Sequence, residues 1–197
     1  MSFRRSLTPF GKFIAALILV ALGAIVGFFA LNEHIYQKKQ APKDYKDLTF
    51  FISGESVTLN DGYAETETVM GSEAKSIVRY FGNEAKGDLN GDGIVDLVFL
   101  ITQEAGGSGT FFYLVGAIQH ADNTYEGTHA VLIGYEIAPQ TTEFRDGLVI
   151  VNYADRKPGE PFTTPPSLGK SLYLEYDPIR MDFGEVVQNF EGESASF

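Results

Sequence analysis

The chain contains one long run of hydrophobic residues near its start and many short runs after it. Residues 13–31, FIAALILVALGAIVGFFAL, contain no charged side chain. A helix of this length spans about 28 Å, because each helical residue rises about 1.5 Å, and the hydrocarbon core of a bilayer has a similar thickness. The pattern therefore predicts a transmembrane helix over residues 13–31.

From residue 48 onward, hydrophobic residues occur in short continuous or alternating runs separated by Gly, Asn and Asp. Such runs are typical of β-strands joined by turns. The strands that we expect lie at residues 49–53, 56–60, 75–82, 94–103, 110–119, 128–135, 148–153, 171–176 and 182–189. Residues 72–79 also fit a short helix. Because no long segment has helical periodicity, the sequence predicts a mainly β fold, with an N-terminal transmembrane helix followed by one antiparallel β domain built as a sandwich, a barrel or a small sheet assembly.

Changes in composition divide the chain into segments. A length of 197 residues fits one folded domain with an appended part. The expected segments are a basic cytoplasmic stub at 1–12, a transmembrane signal anchor at 13–31, a polar juxtamembrane stalk at 32–47, the β domain at 48–190 and a tail at 191–197.

A proline-rich segment interrupts the β pattern near the C-terminus. Residues 154–170 contain four of the eight prolines. Proline has no backbone N–H to donate, so this segment cannot be a central strand. We expect a surface loop, which serves either as a stiff connection between strands or as a recognition loop.

The charges are distributed unevenly and indicate how the chain is oriented. Arg4, Arg5 and Lys12 are the only charged residues before Glu33, and all 26 acidic residues lie from Glu33 onward. Basic residues are retained on the cytoplasmic side of a membrane, so we expect a cytoplasmic N-terminus and a β domain outside. The apolar run is longer than that of a signal peptide and ends in bulky residues. We therefore expect an uncleaved signal anchor, with a cleaved signal as the alternative.

Composition also restricts the partners. A net charge of −11 argues against nucleic acid. The absence of Cys excludes a disulfide scaffold, a thiol nucleophile and a Cys-ligated zinc site. Together with the lack of a glycosylation sequon after residue 32, it favours a bacterial exported protein. The lipid bilayer is the expected partner of residues 13–31, and the spacing of Gly23 and Gly27 allows two such helices to pack closely as a homodimer.

One short motif indicates a specific chemistry. Residues 88–96 read DLNGDGIVD, so that oxygen-bearing side chains alternate along a glycine-containing loop. Ca²⁺ takes about six to eight oxygen ligands, and alternate residues of a tight loop can direct theirs to one point. The expected ligands are Asp88, Asn90 and Asp92 through their side chains, Ile94 through its carbonyl, and Asp96 directly or through a water molecule.

The motif resembles the calcium loops of FG-GAP-type repeats. An EF-hand has a Glu at position twelve and helices on both sides, whereas here position twelve is Phe99 and an apolar run typical of a strand follows. In FG-GAP-type loops an Asp at the ninth position completes the site and a strand follows. The resemblance covers residues 87–100 and implies a structural Ca²⁺ that holds the strand at 75–82 against the strand at 94–103. A turn that binds no metal is the alternative.

A second resemblance concerns the layout of the whole chain. The anchor, the stalk and the segments RYFGNEAKGDLNGDGIVDLVFLITQEAGGSGTFFYLV and NYADRKPGEP are similar to a group of uncharacterised bacterial membrane-anchored exported proteins. The resemblance implies a location at the cell membrane and a β fold, and it implies no mechanism.

Few residues indicate catalysis. His34 lies beside the apolar segment, His120 in an expected turn and His129 at the start of an apolar run, so no histidine has the setting of a catalytic base. Ser72 and Lys75 match S-x-x-K, but the companion motifs of the acyl-transfer enzymes are absent.

Two further patterns have structural explanations. The glycine-rich residues 106–109 do not have the register of a nucleophile elbow, and we expect a hairpin turn there. Phe111, Phe112 and Tyr113 lie in the middle of an expected strand, which favours a place in the core over a platform for sugars.

These observations predict a membrane-anchored extracytoplasmic β domain that Ca²⁺ stabilises. Its expected role is non-enzymatic, either in binding a protein or glycan ligand or in the structure of the cell envelope. The alternative is a hydrolase of cell-wall or polysaccharide substrates that uses a pair of carboxylates as acid and base.

Overall fold

The structure is a computed structural model of the chain. It describes residues 9–10, 23, 44–67, 75–107 and 109–187. The predicted tail lies outside the described residues, and so does the predicted transmembrane segment except for Gly23, whose backbone is helical. In the part of the chain that is described, no helix is both long and apolar enough to cross a membrane.

The described domain consists of β-strands and one short 3₁₀ helix, which confirms the mainly β fold. In chain order the elements are the 3₁₀ helix Tyr45–Asp47, β1 Thr49–Ile52, β2 Glu55–Thr58, β3 Tyr63–Glu67, β4 Lys75–Gly87, β5 Asp96–Ala105, β6 Thr110–Gln119, β7 Tyr125–Gly127, β8 Val131–Tyr135, β9 Ala138–Arg145, β10 Leu148–Asp155, β11 Leu168–Asp177 and β12 Asp182–Glu185.

The strands form an assembly of antiparallel sheets. A six-stranded central sheet has the order β3-β4-β5-β6-β7, and β8 also pairs with β6. A four-stranded second sheet has the order β12-β11-β10-β9, and β1 and β2 form a separate hairpin. Of the three architectures that the sequence left open, the small sheet assembly describes this arrangement.

Hydrophobic clusters cover both faces of the central sheet. On one face, Val98 and Leu100 of β5 belong to a cluster with Val149 of the second sheet. On the other face, Phe99 belongs to a cluster with Phe50 of the hairpin, and their rings meet edge to face at 5.8 Å. Because successive side chains of a strand point to opposite faces, β5 is buried on both sides, which explains its continuous apolar sequence. Burying each such side chain contributes roughly 1.5–3 kcal/mol.

One expected strand begins later in the structure than the sequence predicts. Residues 128–135 were expected to form a single strand, but β7 ends before this segment and β8 begins only at Val131. Between them, the Phe51 N–H donates to the Thr128 carbonyl at 3.3 Å, and the Ala130 N–H donates to the Phe51 carbonyl at 2.9 Å. The backbone bonds to β1 over these residues, while the Thr128 N–H still donates to the Gly116 carbonyl of β6 at 3.1 Å.

Three strands, β3, β7 and β9, were not predicted, and three, β4, β10 and β11, are longer than predicted. β3 and β9 are polar edge strands, so they carry little of the hydrophobic alternation by which strands are recognised. β4 continues to Gly87 through two register shifts around Gly82, where the backbone has a φ of 105°. The alternative of a helix at 72–79 is wrong for residues 75–79, which belong to β4.

Candidate cation-binding loop

The predicted metal-binding residues form the connection between β4 and β5. We call residues 88–95 the acidic loop; Asp96 follows it as the first residue of β5. At its start, Gly87 has no room for a side chain, since a Cβ there would lie 1.9 Å from the ring of Phe144 on β9. This close contact between β4 and the second sheet determines where the loop leaves the domain.

The carboxylate of Asp88 gathers the backbone N–H groups of the loop around it. Its Oδ1 accepts hydrogen bonds from the N–H of Gly91 at 2.7 Å and of Asp92 at 3.1 Å. Its Oδ2 accepts from the N–H of Gly93 at 2.9 Å. Gly91 and Gly93 have φ values of 79° and 85°, a region that glycine adopts without strain. The loop is thus a tight turn around one carboxylate.

Asn90 and Asp92 continue this pattern along the loop. The Oδ1 of Asn90 accepts from the N–H of Asp92 at 3.0 Å, and the Oδ1 of Asp92 accepts from the N–H of Ile94 at 2.7 Å. The side-chain amide of Asn90 also donates to the Oδ2 of Asp92 at 3.1 Å. Asp88, Asn90 and Asp92, three of the predicted ligands, therefore belong to one turn. Ile94 was predicted to bind through its carbonyl, and it bonds to this turn through its N–H.

Asp96 connects the acidic loop to the central sheet. Its side chain is fully buried. Its Oδ2 accepts from the N–H of Leu89 at 2.9 Å, and its Oδ1 accepts from the N–H of Gln119 at 2.8 Å. Sequence reasoning missed Gln119, because 23 residues separate it from Asp96 and only the sheet brings them together.

Burial raises the pKa of Asp96 above its ordinary value. The charges of Asp92 and Asp88 raise this pKa further, while the N–H groups of Gln119 and Leu89 partly offset the effect. The ionised form of Asp96 is therefore costly in this environment, since it is desolvated and lies near two other carboxylates. A cation at the loop would reduce this cost.

The loop retains acceptor positions for a cation. Each carboxylate or amide oxygen can accept two hydrogen bonds or ligand contacts. After the hydrogen bonds given above, one position remains on Asp88 Oδ2, one on Asn90 Oδ1 and one on each oxygen of Asp92. Within the described ranges, no group of three or more His, Cys, Asp or Glu side chains is arranged to hold a metal ion. The donor chemistry fits Ca²⁺, and ligation would require these side chains to turn toward one point.

A second irregular segment is organised by a positive charge. We call residues 156–167, between β10 and β11, the proline loop. The loop expected over 154–170 is confirmed for these residues, whereas 154–155 belong to β10 and 168–170 to β11. The Arg156 guanidinium donates to the carbonyls of Thr164 and Glu136, each at 2.6 Å, and of Phe162 at 2.9 Å. The Phe162 side chain is 67% exposed, and its ring meets that of Tyr135 edge to face at 5.3 Å. Sequence reasoning missed Arg156, since nothing in its neighbours indicates three carbonyl partners.

The described histidines, His120 and His129, and Lys75 of the S-x-x-K motif have partners outside the acidic loop. The exposed His120 pairs with Glu126 on β7 at 3.3 Å between Nε2 and Oε2. His129 stacks on the ring of Phe51, with 4.8 Å between ring centroids. Lys75 pairs with Glu65 on β3. His34 and Ser72 lie outside the described residues.

The aromatic and glycine-rich segments have the structural roles expected of them. Phe112 and Tyr113 are buried on opposite faces of the central sheet, and Phe111 is partly buried against one of its clusters. Gly106 and Gly107 form the turn between β5 and β6, with φ values of 59° and 86°. The interpretations as core and as hairpin turn are confirmed for these residues.

Two clefts lie elsewhere on the described domain. One, of about 410 Å³, lies between β1 and β7 and is lined by Phe51, Tyr125, His120 and Glu126. The other, of about 420 Å³, surrounds the turn between β11 and β12 and contains four carboxylates. One of these, Asp182, is paired with Arg180 at 3.0 Å.

Comparisons of the chain with protein-family models, with curated proteins and with solved structures found no match.

Proposed function

We propose that the protein is a single-pass membrane protein whose extracytoplasmic β domain is stabilised by Ca²⁺ at the acidic loop and has a non-enzymatic role in binding or in the cell envelope. The observation that supports this most is the turn around Asp88, in which one carboxylate organises three backbone N–H groups. The sequence of residues 13–31 supports the membrane anchor, with the N-terminus in the cytoplasm.

Electrostatics favours a divalent cation at the acidic loop. Asp88, Asp92 and Asp96 bring three carboxylates into a segment of nine residues, 88–96, and no basic residue lies within it. Repulsion among them raises the free energy of the folded state unless a cation is present. Carboxylate and amide oxygens are ligands for hard cations such as Ca²⁺, and extracellular calcium sites typically have dissociation constants of about 10⁻⁴–10⁻³ M.

A calcium titration of stability tests this proposal. Thermal unfolding of the full chain in detergent micelles would be measured in EGTA and at increasing calcium concentrations. A cation that binds only the folded state stabilises it by RT ln(1 + [L]/Kd), which is about 1.4 kcal/mol at ten times Kd. For a chain of this size we expect the midpoint to rise by about 4 °C. A midpoint that stays flat up to about 10 mM calcium, well above that range of dissociation constants, contradicts the calcium site.

Two matched variants locate the effect. Asp92→Ala removes a predicted ligand from an Asp-Gly turn in the acidic loop, and we expect it to abolish the calcium response. Asp146→Ala removes the Asp of another Asp-Gly turn, between β9 and β10, and we expect it to retain the response. A response that persists in Asp92→Ala contradicts the assignment to the acidic loop.

The proline loop supports a role in binding. Arg156 bonds to two carbonyls of the loop and to that of Glu136 outside it, so a ligand that contacts Phe162 meets a surface that is already ordered. Preorganisation of this kind lowers the entropic cost of binding. The proposed ligand is a protein or a glycan, and a Phe162→Ala variant in a pull-down from envelope material would lose it.

The four carboxylates of the cleft between β11 and β12 favour a second candidate function, hydrolysis of a cell-wall polysaccharide. Glycosidases use a pair of carboxyl groups on opposite sides of the scissile bond. Release of reducing sugar from purified cell wall, lost in Asp177→Asn, would support this function over a binding role. No release by the unaltered chain contradicts it.

We also propose that the membrane segment pairs through Gly23 and Gly27. Gly23 and Gly27 are spaced four residues apart in the apolar segment. Small residues four apart allow two helices to approach closely in a bilayer. Crosslinking in membranes would give a dimer that Gly27→Leu removes, and an undiminished dimer in this variant contradicts the pairing.

A further inference from the structure

The acidic loop contains a dipeptide with a reactivity of its own. Asn90 and Gly91 form the chain's one Asn-Gly sequence. The side-chain amide of an Asn can be attacked by the backbone nitrogen of the next residue, and a following glycine leaves that nitrogen unhindered because it has no side chain. A Cβ at Gly91 would have no neighbour within 4 Å, so this position is open to solvent.

Three contacts place polar groups at the atoms of this reaction. The nucleophile, the nitrogen of Gly91, donates its N–H to Asp88 Oδ1 at 2.7 Å. The oxygen on which negative charge develops, Asn90 Oδ1, accepts from the N–H of Asp92 at 3.0 Å. The leaving nitrogen, Asn90 Nδ2, donates to Asp92 Oδ2 at 3.1 Å. A base and an oxyanion donor therefore lie at this amide, and the Asp92 carboxylate holds its nitrogen in place.

We propose that Asn90 is a site of spontaneous deamidation, promoted by the fold of the acidic loop. As the nitrogen of Gly91 bonds to Cγ of Asn90, the proton of that N–H passes to the Asp88 carboxylate. The Cγ–Nδ2 bond then breaks, and the leaving nitrogen takes up this proton and departs as ammonia. The product is a five-membered succinimide. Water opens it at either carbonyl, so that the net change is Asn plus water to Asp or isoaspartate plus ammonia.

The two products change the loop differently. Asp at position 90 adds a carboxylate to those of Asp88 and Asp92. Isoaspartate adds one methylene to the main chain, which displaces Asp92 relative to Asp88 and disrupts the turn. The modification therefore alters the charge or the geometry of the acidic loop with time, without any enzyme.

The other described Asn residues serve as internal controls. Asn60, Asn83, Asn123 and Asn152 are each followed by a residue with a side chain, which shields the attacking nitrogen. Asn123 is the best matched of them, because it also lies in an exposed turn and has a positive φ of 62°. We expect it to remain unmodified over the period in which Asn90 reacts.

The test follows the modification in the folded and the unfolded chain. The full chain would be incubated at mildly alkaline pH with EGTA, in detergent micelles alone or in detergent with urea, and mapped by mass spectrometry after cleavage at Glu. Residues 85–104 are released as one peptide with a single Asn. We expect deamidation of Asn90 to be at least as fast in the folded chain as in urea. A folded chain that reacts more slowly overturns the proposal.

A pair of variants tests the part played by Asp88. Asp88→Asn removes the base, and we expect it to slow the folded chain by about tenfold and to leave the rate in urea unchanged. Asp92→Ala keeps both the base and the N–H of residue 92 and creates no second Asn-Gly sequence, and we expect a rate close to that of the unaltered chain. An unchanged folded rate in Asp88→Asn overturns the assignment of Asp88 as the base. Because the assay contains no calcium, its result is independent of whether the loop binds Ca²⁺.

Discussion

The acidic loop and the proline loop are organised by charges of opposite sign. In the acidic loop, the Asp88 carboxylate accepts three backbone N–H groups. In the proline loop, the Arg156 guanidinium donates to three backbone carbonyls. In each segment an ionised side chain bonds several backbone groups that no strand ladder satisfies.

The difference lies in what each charge leaves unsatisfied. The carboxylates of the acidic loop retain lone pairs and repel one another, so we expect this loop to be stabilised by an added cation. The single positive charge of Arg156 is spread over a planar group that already meets three carbonyl dipoles, so the proline loop needs no further ion. From this comparison we expect the stability of the acidic loop, and not that of the proline loop, to depend on the cation concentration.

The largest effect is expected where the acidic loop meets the core. Asp96→Ala leaves the N–H groups of Leu89 and Gln119 without their acceptor and should lower the free energy of unfolding by about 3 kcal/mol. Urea unfolding of the full chain, followed by tyrosine fluorescence, measures it. Asp122→Ala is the control, because this exposed carboxylate bonds only to the nearby Thr124. Equal effects of the two variants would contradict the role of Asp96 as an anchor.

Replacing Arg156 should have the next largest effect. Arg156→Met leaves three carbonyls without a donor, and we expect a loss of about 2 kcal/mol and faster chymotrypsin cleavage after Phe162. Arg156→Lys should not restore slow cleavage, because an ammonium cannot reach three carbonyls in the geometry of a planar fork. Rescue by lysine would show that charge alone holds the loop. The control is Arg180→Met, which removes one exposed pair with Asp182.

Within the acidic loop, Asp88 and Asp92 should differ in EGTA. Asp88 accepts three backbone N–H groups, whereas Asp92 accepts one backbone N–H and one from the exposed side-chain amide of Asn90. We therefore expect Asp88→Ala to cost about 1.5 kcal/mol and Asp92→Ala about 0.5 kcal/mol in urea unfolding. Both variants should lose the calcium response. The reverse order of stability would contradict the turn around Asp88.

The smallest effect is expected at the edge of the proline loop, where Lys170 pairs with Asp155 at 2.6 Å. The hydrogen bond from Lys170 lowers the pKa of the Asp155 carboxyl below its ordinary value. The pair therefore contributes stability above the ordinary pKa of Asp, and this contribution is lost as the pH falls through the lowered value. Lys170→Met should cost about 0.5 kcal/mol at neutral pH, because the pair is partly exposed.

The pH dependence checks this interpretation of the Asp155–Lys170 pair. Unfolding of the unaltered chain and of the Lys170→Met variant would be measured from neutral pH downward. The difference between them should shrink once the pH falls below the ordinary pKa of Asp. A difference that stays constant to low pH would show that Lys170 acts through packing of its aliphatic chain and not through its charge.

Prediction of the fold from the sequence was most accurate where local pattern and burial agree. β6 was predicted at both ends, because its ten residues are apolar or aromatic almost throughout and lie between turn residues. β9 was missed because it is an edge strand, in which most side chains face solvent and polar residues are tolerated. The late start of β8 depends on the bond to Phe51, which lies far away in the sequence.

For the candidate site, too, the sequence indicated the local part and not the contacts between distant residues. Its local part, residues 88–94, follows from neighbours in the chain, since a short acidic side chain bonds to N–H groups a few residues ahead. The position of Asp96 does not follow from its neighbours. Nothing around it indicates that it is buried or that its partner is Gln119, because both depend on how β5 and β6 pair.

The sequence by itself determined the features that depend on adjacent residues: the apolar segment 13–31, the turns at Asp-Gly and Gly-Gly, the acidic loop around Asp88 and the continuous apolar strand β5. The tertiary structure decided the features that join distant parts of the chain. Asp96 reaches Gln119 across 23 residues, and Arg156 reaches Glu136 across 20. The physical reason is that a local turn is selected by steric and hydrogen-bonding preferences within a few residues, whereas a buried polar group acquires its partner only when the sheets pack.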